Sequence, residues 1–295
     1  MKRFLITLIL VQLQILLANC QTSQKDFPVL KGSYLGQKPP GNIPEIFAPG
    51  IVSRDNYFEH SAAVFSPDGN EVYWSGKPQG TRYFEINFMK IINGTWTEPK
   101  IAFAHKERNF GNPVFSSDGN KLFFNKDGDI WFVERQGDEW SKETKISSVV
   151  NSDVSDDLHT ITKDGSVYFR RYKPNESFGK RALVYFSRKI NGDYTDPELL
   201  EGSINSADEE ESAIFVSPDE NYMIIEATKD RINSNLFISY KKKDGSWSER
   251  IKLPFKNGRF PSVSPDGKYL FYMTRDEGIY WVNTSFIEEF KPKGL

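Results

Sequence analysis

Ser66-Pro67-Asp68-Gly69 is the stretch that decides the fold, because the chain repeats it with variations. The other copies are Ser116-Ser117-Asp118-Gly119, Thr162-Lys163-Asp164-Gly165, Ser217-Pro218-Asp219-Glu220 and Ser264-Pro265-Asp266-Gly267. Their starts lie 50, 46, 55 and 47 residues apart, a period that marks propellers, solenoids or arrays. Within each copy proline presets φ for the first corner of a turn, aspartate bonds nearby backbone, and glycine supplies the positive φ that reverses the chain.

Working outward, each turn is flanked by strand-like runs. Before it come Ala62-Ala63-Val64-Phe65, Pro113-Val114-Phe115 or Ala213-Ile214-Phe215-Val216. After it come Val72-Tyr73-Trp74, Leu122-Phe123-Phe124, Val167-Tyr168-Phe169 or Tyr269-Leu270-Phe271-Tyr272. β-branched and aromatic runs on either side of a tight turn predict a hairpin. A third strand follows in every unit (Phe84 to Ile92, Asp129 to Glu134, Ala182 to Arg188, Leu236 to Tyr240, Gly278 to Val282).

Four units then show a second turn ending in an aromatic residue: Asn93-Gly94-Thr95-Trp96, Gly137-Asp138-Glu139-Trp140, Asn191-Gly192-Asp193-Tyr194 and Asp244-Gly245-Ser246-Trp247. Asn-Gly and Asp-Gly pairs are strong hairpin signals. A short fourth strand follows each (Lys100 to Ala104, Thr144 to Val149, Glu198 to Glu201, Arg250 to Leu253). The chain is therefore expected to be all-β, a β-propeller of five four-stranded blades, with six the alternative if residues 25–50 hold further strands.

The fifth unit lacks a fourth strand of its own, and the missing piece is expected at the other terminus. Pro44-Glu45-Ile46-Phe47-Ala48-Pro49-Gly50-Ile51 reads like Pro197-Glu198-Leu199-Leu200-Glu201-Gly202-Ser203-Ile204, the outer strand of the third unit. Closing the ring with Glu45 to Gly50 would pair two terminal edges otherwise open to aggregation. On this reading Ile46, Phe47 and Ile51 are buried, truncation through Ser53 is costly, and truncation through Asn42 is nearly silent.

Length and composition agree with one large all-β domain: 295 residues, 14% aromatic, four methionines. Net charge is −2, falling to −4 if a leader carrying Lys2 and Arg3 is removed, which leaves no basic surplus for nucleic acid. Residues 1–19 read as an export signal, with Lys2 and Arg3 followed by an apolar run from Phe4 to Ala18, too short for a comfortable membrane span. Residues 20–42 are polar and rich in glycine and proline, a tether or an edge-hugging lead-in. Residues 43–295 are the propeller.

Two resemblances follow from these residues. Leu17-Ala18-Asn19-Cys20, holding the chain's one cysteine, resembles the lipobox of bacterial lipoproteins, which implies that Cys20 is lipidated and is the protein's sole attachment to a membrane. Asn19 departs from the Gly, Ala or Ser usual there, and the alternative is an ordinary secretory signal with an incidental cysteine. The Ser-Pro-Asp-Gly turn between inner strands, with an aromatic third strand and a Trp after the second turn, resembles the TolB-type (WD-like) propeller repeats of bacterial envelope proteins over residues 43–290. The resemblance implies fold rather than function, since such repeats serve protein-binding scaffolds, peptidase appendages and some polysaccharide-active enzymes. Ser117 and Lys163 in place of proline, and Glu220 in place of glycine, are departures expected to alter local turn type alone.

In a propeller the inner strands line a central channel, and the residues that lead into them share a face with the loops between second and third strands. These leads are Glu59-His60-Ser61, Asn109-Phe110-Gly111, Ser155-Asp156-Asp157, Glu210-Glu211-Ser212 and Asn257-Gly258-Arg259. Neighbouring loops add Arg170, Arg171, Lys173, Arg181, Lys229 and Arg231. Glu59, His60, Asp156, Asp157, Glu210, Glu211 and Arg259 are accordingly the candidate ligand-binding residues. The bland reading sets carboxylates against arginines at a wet channel mouth for small net energy.

Of the three histidines, His60 is the better ligand candidate and His159 is expected to be a hydrogen-bonded wall residue; the third is His105. No HExxH, paired CxxC or calcium-loop pattern is present, so neither metal nor cofactor is expected. No Gly-x-Ser-x-Gly elbow appears. The leading expectation is a non-catalytic, monomeric envelope propeller that binds a protein or glycan. The alternative is a glycan-active hydrolase or lyase using Glu59, Asp157 and Glu211 as carboxylates converging on one cavity.

Overall fold

The computed structural model describes residues 27–103, 109–173, 182–230, 232–275 and 277–295. The chain divides into a unit spanning residues 1–30, of which 27–30 are described and hold neither helix nor strand, and a unit spanning residues 31–295. The export signal, the lipobox with Cys20, His105 and the loop arginines Arg181 and Arg231 lie outside the described residues.

The larger unit is a five-bladed β-propeller. Blade 1 runs from inner to outer through Tyr57–Glu59 with Val64–Phe65, then Glu71–Pro78, Glu85–Ile92 and Lys100–Ile101. Blade 2 uses Phe110–Phe115, Lys121–Lys126, Asp129–Gln136 and Thr144–Lys145. Blade 3 uses Asp156–Ile161, Val167–Tyr172, Ala182–Ser187 and Glu198–Leu199. Blade 4 uses Glu210–Val216, Tyr222–Thr228, Ser234–Tyr240 and Ile251–Lys256. Blade 5 takes Arg259–Val263, Tyr269–Thr274 and Gly278–Asn283 from the C-terminal end and Glu45–Ile46 from the N-terminal end.

The repeated turn behaves as its residues dictate. Ser66 Oγ donates to Asp68 at 2.6 Å and accepts from Glu71 N at 2.9 Å, while Gly69 N closes the turn on Ser66 O with φ at 72°. The same bonds recur around Ser116 and Ser264, and at Thr162 the bond to Asp164 and the closure by Gly165 N recur. At the fourth turn Glu220 stands where the others have glycine and adopts φ 57°. Left-handed backbone costs a side-chain-bearing residue of the order of 1–2 kcal/mol. The carboxylate offsets that cost by bonding Tyr168 Oη and both ways to Arg188 NH1, at 3.0 and 3.1 Å. Glu220 therefore joins blade 4 to blade 3, a role beyond the change of turn type expected of it.

The second strands read as continuous apolar runs because blades stack face to face and bury both sides. Val72, Tyr73 and Trp74, then Leu122, Phe123 and Phe124, are all buried, as are Val167, Tyr168 and Phe169. Shared clusters cement adjacent blades, such as Tyr73 and Ile86 of blade 1 with Phe115, Leu122 and Val133 of blade 2.

The crossovers that leave blades 2 and 3 are hooked to the blades they leave. Asn151 accepts from Ile130 N and donates to Ile130 O, and Asn205 does the same to Val184, both on third strands. Ser53 performs this service across the ring seam: Ile279 N donates to Ser53 Oγ at 2.9 Å. Gly278 is required beside it, since a Cβ there would lie 2.7 Å from Ser53 Cβ.

The seam itself closes as expected. Glu45 pairs with Trp281 and Ile46 with Tyr280, antiparallel. The buried residues differ from the expected set: Phe47 and Val52 have no exposed surface, whereas Ile46 is 37% exposed and Ile51 half-buried. A two-residue strand presents alternate side chains to opposite sides, so Ile46 faces out and Phe47 packs against Phe271 and Trp281.

The stretch expected to be a tether or lead-in is packed from Lys31 onward. Leu35 is buried, and the Tyr34 ring contacts Phe65, Tyr269 and Trp281 at centroid separations of 5.1, 5.1 and 5.6 Å. Tyr34 Oη donates to Asp266, Trp96 Nε1 donates to Gly32 O, and Gln37 donates to Ile46 O and accepts from Ala48 N. Residues 31–42 thus straddle blades 1 and 5, so their removal is expected to cost stability.

Candidate functional site

Every inner strand carries an irregularity near its middle. Register shifts fall between Gly111 and Val114, Leu158 and Thr160, Glu211 and Ala213, and Arg259 and Ser262, and in blade 1 the inner strand breaks between Glu59 and Val64. Bulges insert an extra residue and re-aim its side chain. Asn112, His159 and Phe260, which lie in these irregular stretches, line both halves of the channel and form its waist.

Alternation along the strands splits the expected site residues into two groups. His60, Asp157, Glu210 and Arg259 line a cavity of about 550 Å³ at the channel mouth. Glu59, Asp156 and Glu211 do not reach it. Glu59 accepts from Arg54 N at 3.2 Å, Asp156 from Ser152 N at 2.7 Å, and Glu211 from Ser206 N at 3.1 Å. These three acids fasten the crossover loops that precede their own strands.

Two of them also hold half-buried cations. Asp156, without exposure, accepts from Arg171 Nε at 2.7 Å, and Arg171 donates onward to Val150 O. Glu211 accepts from Arg250 NH1 at 3.0 Å. Burial pushes the Glu211 carboxyl up to about 7 and raises that of Glu59.

At the mouth, Arg170 stands between Asp157 at 2.8 Å and Glu210 at 3.8 Å. Burial acts to raise the Asp157 carboxyl, but the Arg170 guanidinium outweighs it and holds the group below the usual carboxylate range. Arg259 NH2 donates to Ile232 O at 3.2 Å, and its Nε lies 4.0 Å from Glu226. Glu226, fully buried on the second strand of blade 4, accepts from Ser234 Oγ and Phe260 N, and burial raises its pKa.

An aromatic wall flanks these charges. The His60 ring lies 4.3 Å from Phe84 and 5.0 Å from Phe260 between centroids. Phe260, with φ 49°, holds a backbone conformation rare for a bulky residue before a proline. Burial lowers His60 to about 4 and His159 to about 3, so both are neutral at physiological pH. Contrary to the expectation of a hydrogen-bonded wall residue, His159 faces the channel and its Nε2 is buried without a hydrogen-bond partner, as is Nδ1 of His60.

Glu226, His159, Phe260 and Phe84 are the mouth residues that reading the sequence missed. Glu226 left a usable signal, a lone carboxylate inside Met223-Ile224-Ile225-Glu226-Ala227. His159 and Phe260 left none, because a bulge shifts which side of the strand a residue faces.

Among the described residues no three of His, Cys, Asp and Glu gather in a group that could hold a metal ion, and no helix is long and apolar enough to cross a membrane. No family model matches the chain, and no curated protein matches it. Solved structures do. TolB from Acinetobacter baumannii is 16% identical with a TM-score of 0.48, the alignment covering 79% of this chain and 55% of that one. A protein assigned as TolB from Agrobacterium tumefaciens is 16% identical with a TM-score of 0.48, covering 76% and 72%. The tricorn protease is 12% identical with a TM-score of 0.48, covering 78% of this chain and 26% of that one. The chain thus spans about half the length of the Acinetobacter protein it resembles. The assignment of a five-bladed propeller stands on the chain's own sheets.

Proposed function

We propose that this chain is a non-catalytic propeller of a bacterial envelope, anchored through a lipid on Cys20, that binds a protein or glycan partner at the polar mouth of its channel. The observation that carries this reading is Arg170 held between Asp157 and Glu210, with Arg259 and Glu226 opposite and the rings of Phe84, His60 and Phe260 alongside. Fixed donors and acceptors of both signs beside aromatic faces suit a polar chain with an apolar side, such as a sugar or an extended peptide. A cavity of about 550 Å³ admits one residue or loop tip of such a partner.

The hydrolase reading loses the trio of carboxylates on which it was built. Glycoside cleavage needs two acids facing one bond, roughly 5–9.5 Å apart, and of Glu59, Asp157 and Glu211 only Asp157 lines the cavity. Asp157 is also held ionised by Arg170, which suits a hydrogen-bond acceptor and not a general acid.

Retention of a partner from detergent-solubilised envelopes tests the proposal. The native protein should retain a protein or glycan that Asp157→Asn with Arg170→Gln releases. Equal retention by both would overturn it. Mass spectrometry of the mature protein tests the anchor, which requires an acylated Cys20 at the N-terminus.

A further inference from the structure

The opposite end of the channel holds a second cavity, of about 440 Å³. Its walls are apolar, built from residues such as Val114, Phe115, Ile161, Phe215 and Val263, and its floor is the waist of Asn112, His159 and Phe260. Its rim is formed by the second residue of each repeated turn: Pro67, Ser117, Lys163, Pro218 and Pro265. The two departures from proline therefore stand side by side on the rim of a cavity.

Hydrogen bonds fix that part of the rim. Ser117 Oγ donates to Lys163 O at 3.2 Å, and Lys163 N donates to Pro218 O at 2.8 Å. A proline at position 163 could not make the second bond.

Two lining side chains carry formal charge at neutral pH near the rim, Asp118 and Lys163. Asp118 is engaged by its own turn, accepting from Ser116 Oγ at 2.6 Å, Asn120 N at 3.0 Å and Asn120 Nδ2 at 2.9 Å. Lys163 is exposed and takes part in no ion pair among the described residues. His159, lowered by burial to about 3, adds no charge at the floor. An apolar cavity with one uncommitted cation at its opening selects an apolar body with a single negative head, and its volume falls in the range of small-molecule sites.

We propose that this cavity binds a small amphiphilic carboxylate, with its alkyl chain among the apolar walls and its head group on Lys163. The site opens at the other end of the channel from the polar mouth, and the proposal does not rest on what binds there.

Calorimetric titration of the intact protein with hexanoate, octanoate and decanoate, below their micellar concentrations, tests this. Affinity should rise about fourfold for each methylene that finds room. Lys163→Glu, an exposed change that keeps the backbone bond to Pro218, should weaken octanoate at least tenfold and leave octan-1-ol unaffected. Val114→Trp, which fills the cavity, should weaken both, and Asp157→Asn at the far mouth should weaken neither. Absence of octanoate binding, equal binding by Lys163→Glu, or tighter binding of octylammonium than of octanoate would each overturn the assignment.

Discussion

Asp156 and Asp157 are adjacent in the chain and serve opposite sides of one strand: Asp156 takes Arg171 Nε at 2.7 Å inside the protein, and Asp157 takes Arg170 NH2 at 2.8 Å at the channel mouth. Asp156 has no exposed surface and also accepts from Ser152 N and Oγ, so its neutralisation weakens several hydrogen bonds to a buried charge, each contributing about 1.5–3 kcal/mol, whereas the partly exposed pair at the mouth contributes about 0–1 kcal/mol. Asp156→Asn should therefore lower the melting temperature by several degrees, while Asp157→Asn leaves it nearly unchanged and loses the partner. Thermal denaturation of the two variants side by side checks this, and equal melting would refute the division of roles.

The N-terminal seam yields a graded prediction. Phe47→Ala, at a site without exposed surface, should cost about 3–5 kcal/mol. Tyr34→Ala removes two edge-to-face ring contacts and the bond to Asp266, and should cost about 1–3 kcal/mol. Truncation through Asn42 should then melt below the full chain, and truncation through Ser53 lower still. Chemical denaturation midpoints decide the order. A truncation through Asn42 as stable as the full chain would mean that residues 31–42 contribute nothing.

The channel-lining histidines predict acid sensitivity. Burial brings His60 from its usual 6.5 down to about 4 and His159 to about 3. A depressed folded-state pKa means that the unfolded chain binds the proton first, so the contribution to stability is whole above about pH 6.5 and is lost as pH falls toward 4. Burial raises the carboxyls of Glu59, Glu211 and Glu226 and acts in the opposite sense over this window, so the difference is the test: between pH 7 and pH 5 the urea midpoint of the native chain should lose more, or gain less, than that of the double variant His60→Gln with His159→Gln. Parallel pH profiles would show that these imidazoles are not the groups being titrated.

Glu220 offers a test of sign. Glu220→Gly would relieve a φ of 57°, worth about 1–2 kcal/mol on backbone grounds. It would also strip Arg188 of its carboxylate and leave the buried Tyr168 hydroxyl without its acceptor, at a cost of about 1–3 kcal/mol for the hydroxyl alone. The variant should melt no higher than the native chain, even though it restores the glycine of the other turns. A clear rise in melting temperature would show that backbone strain outweighs the link between blades 3 and 4.

What the amino-acid sequence determined by itself was everything governed by local chemistry repeated at a fixed period. The Ser-Pro-Asp-Gly turns, the apolar second strands and the similarity of Glu45–Gly50 to an outer strand are written in neighbouring residues, because turn geometry and strand pairing depend on side chains a few positions apart. The tertiary structure alone decided which of each adjacent acid pair faces the channel, that His159 and Phe260 close its waist, and that Lys163 stands on the rim of an apolar cavity. Those facts depend on the mid-strand bulges, where one extra residue flips the facing of all that follows. They depend also on contacts such as Ser117 to Lys163 and Tyr34 to Phe65, between residues that only ring closure brings together.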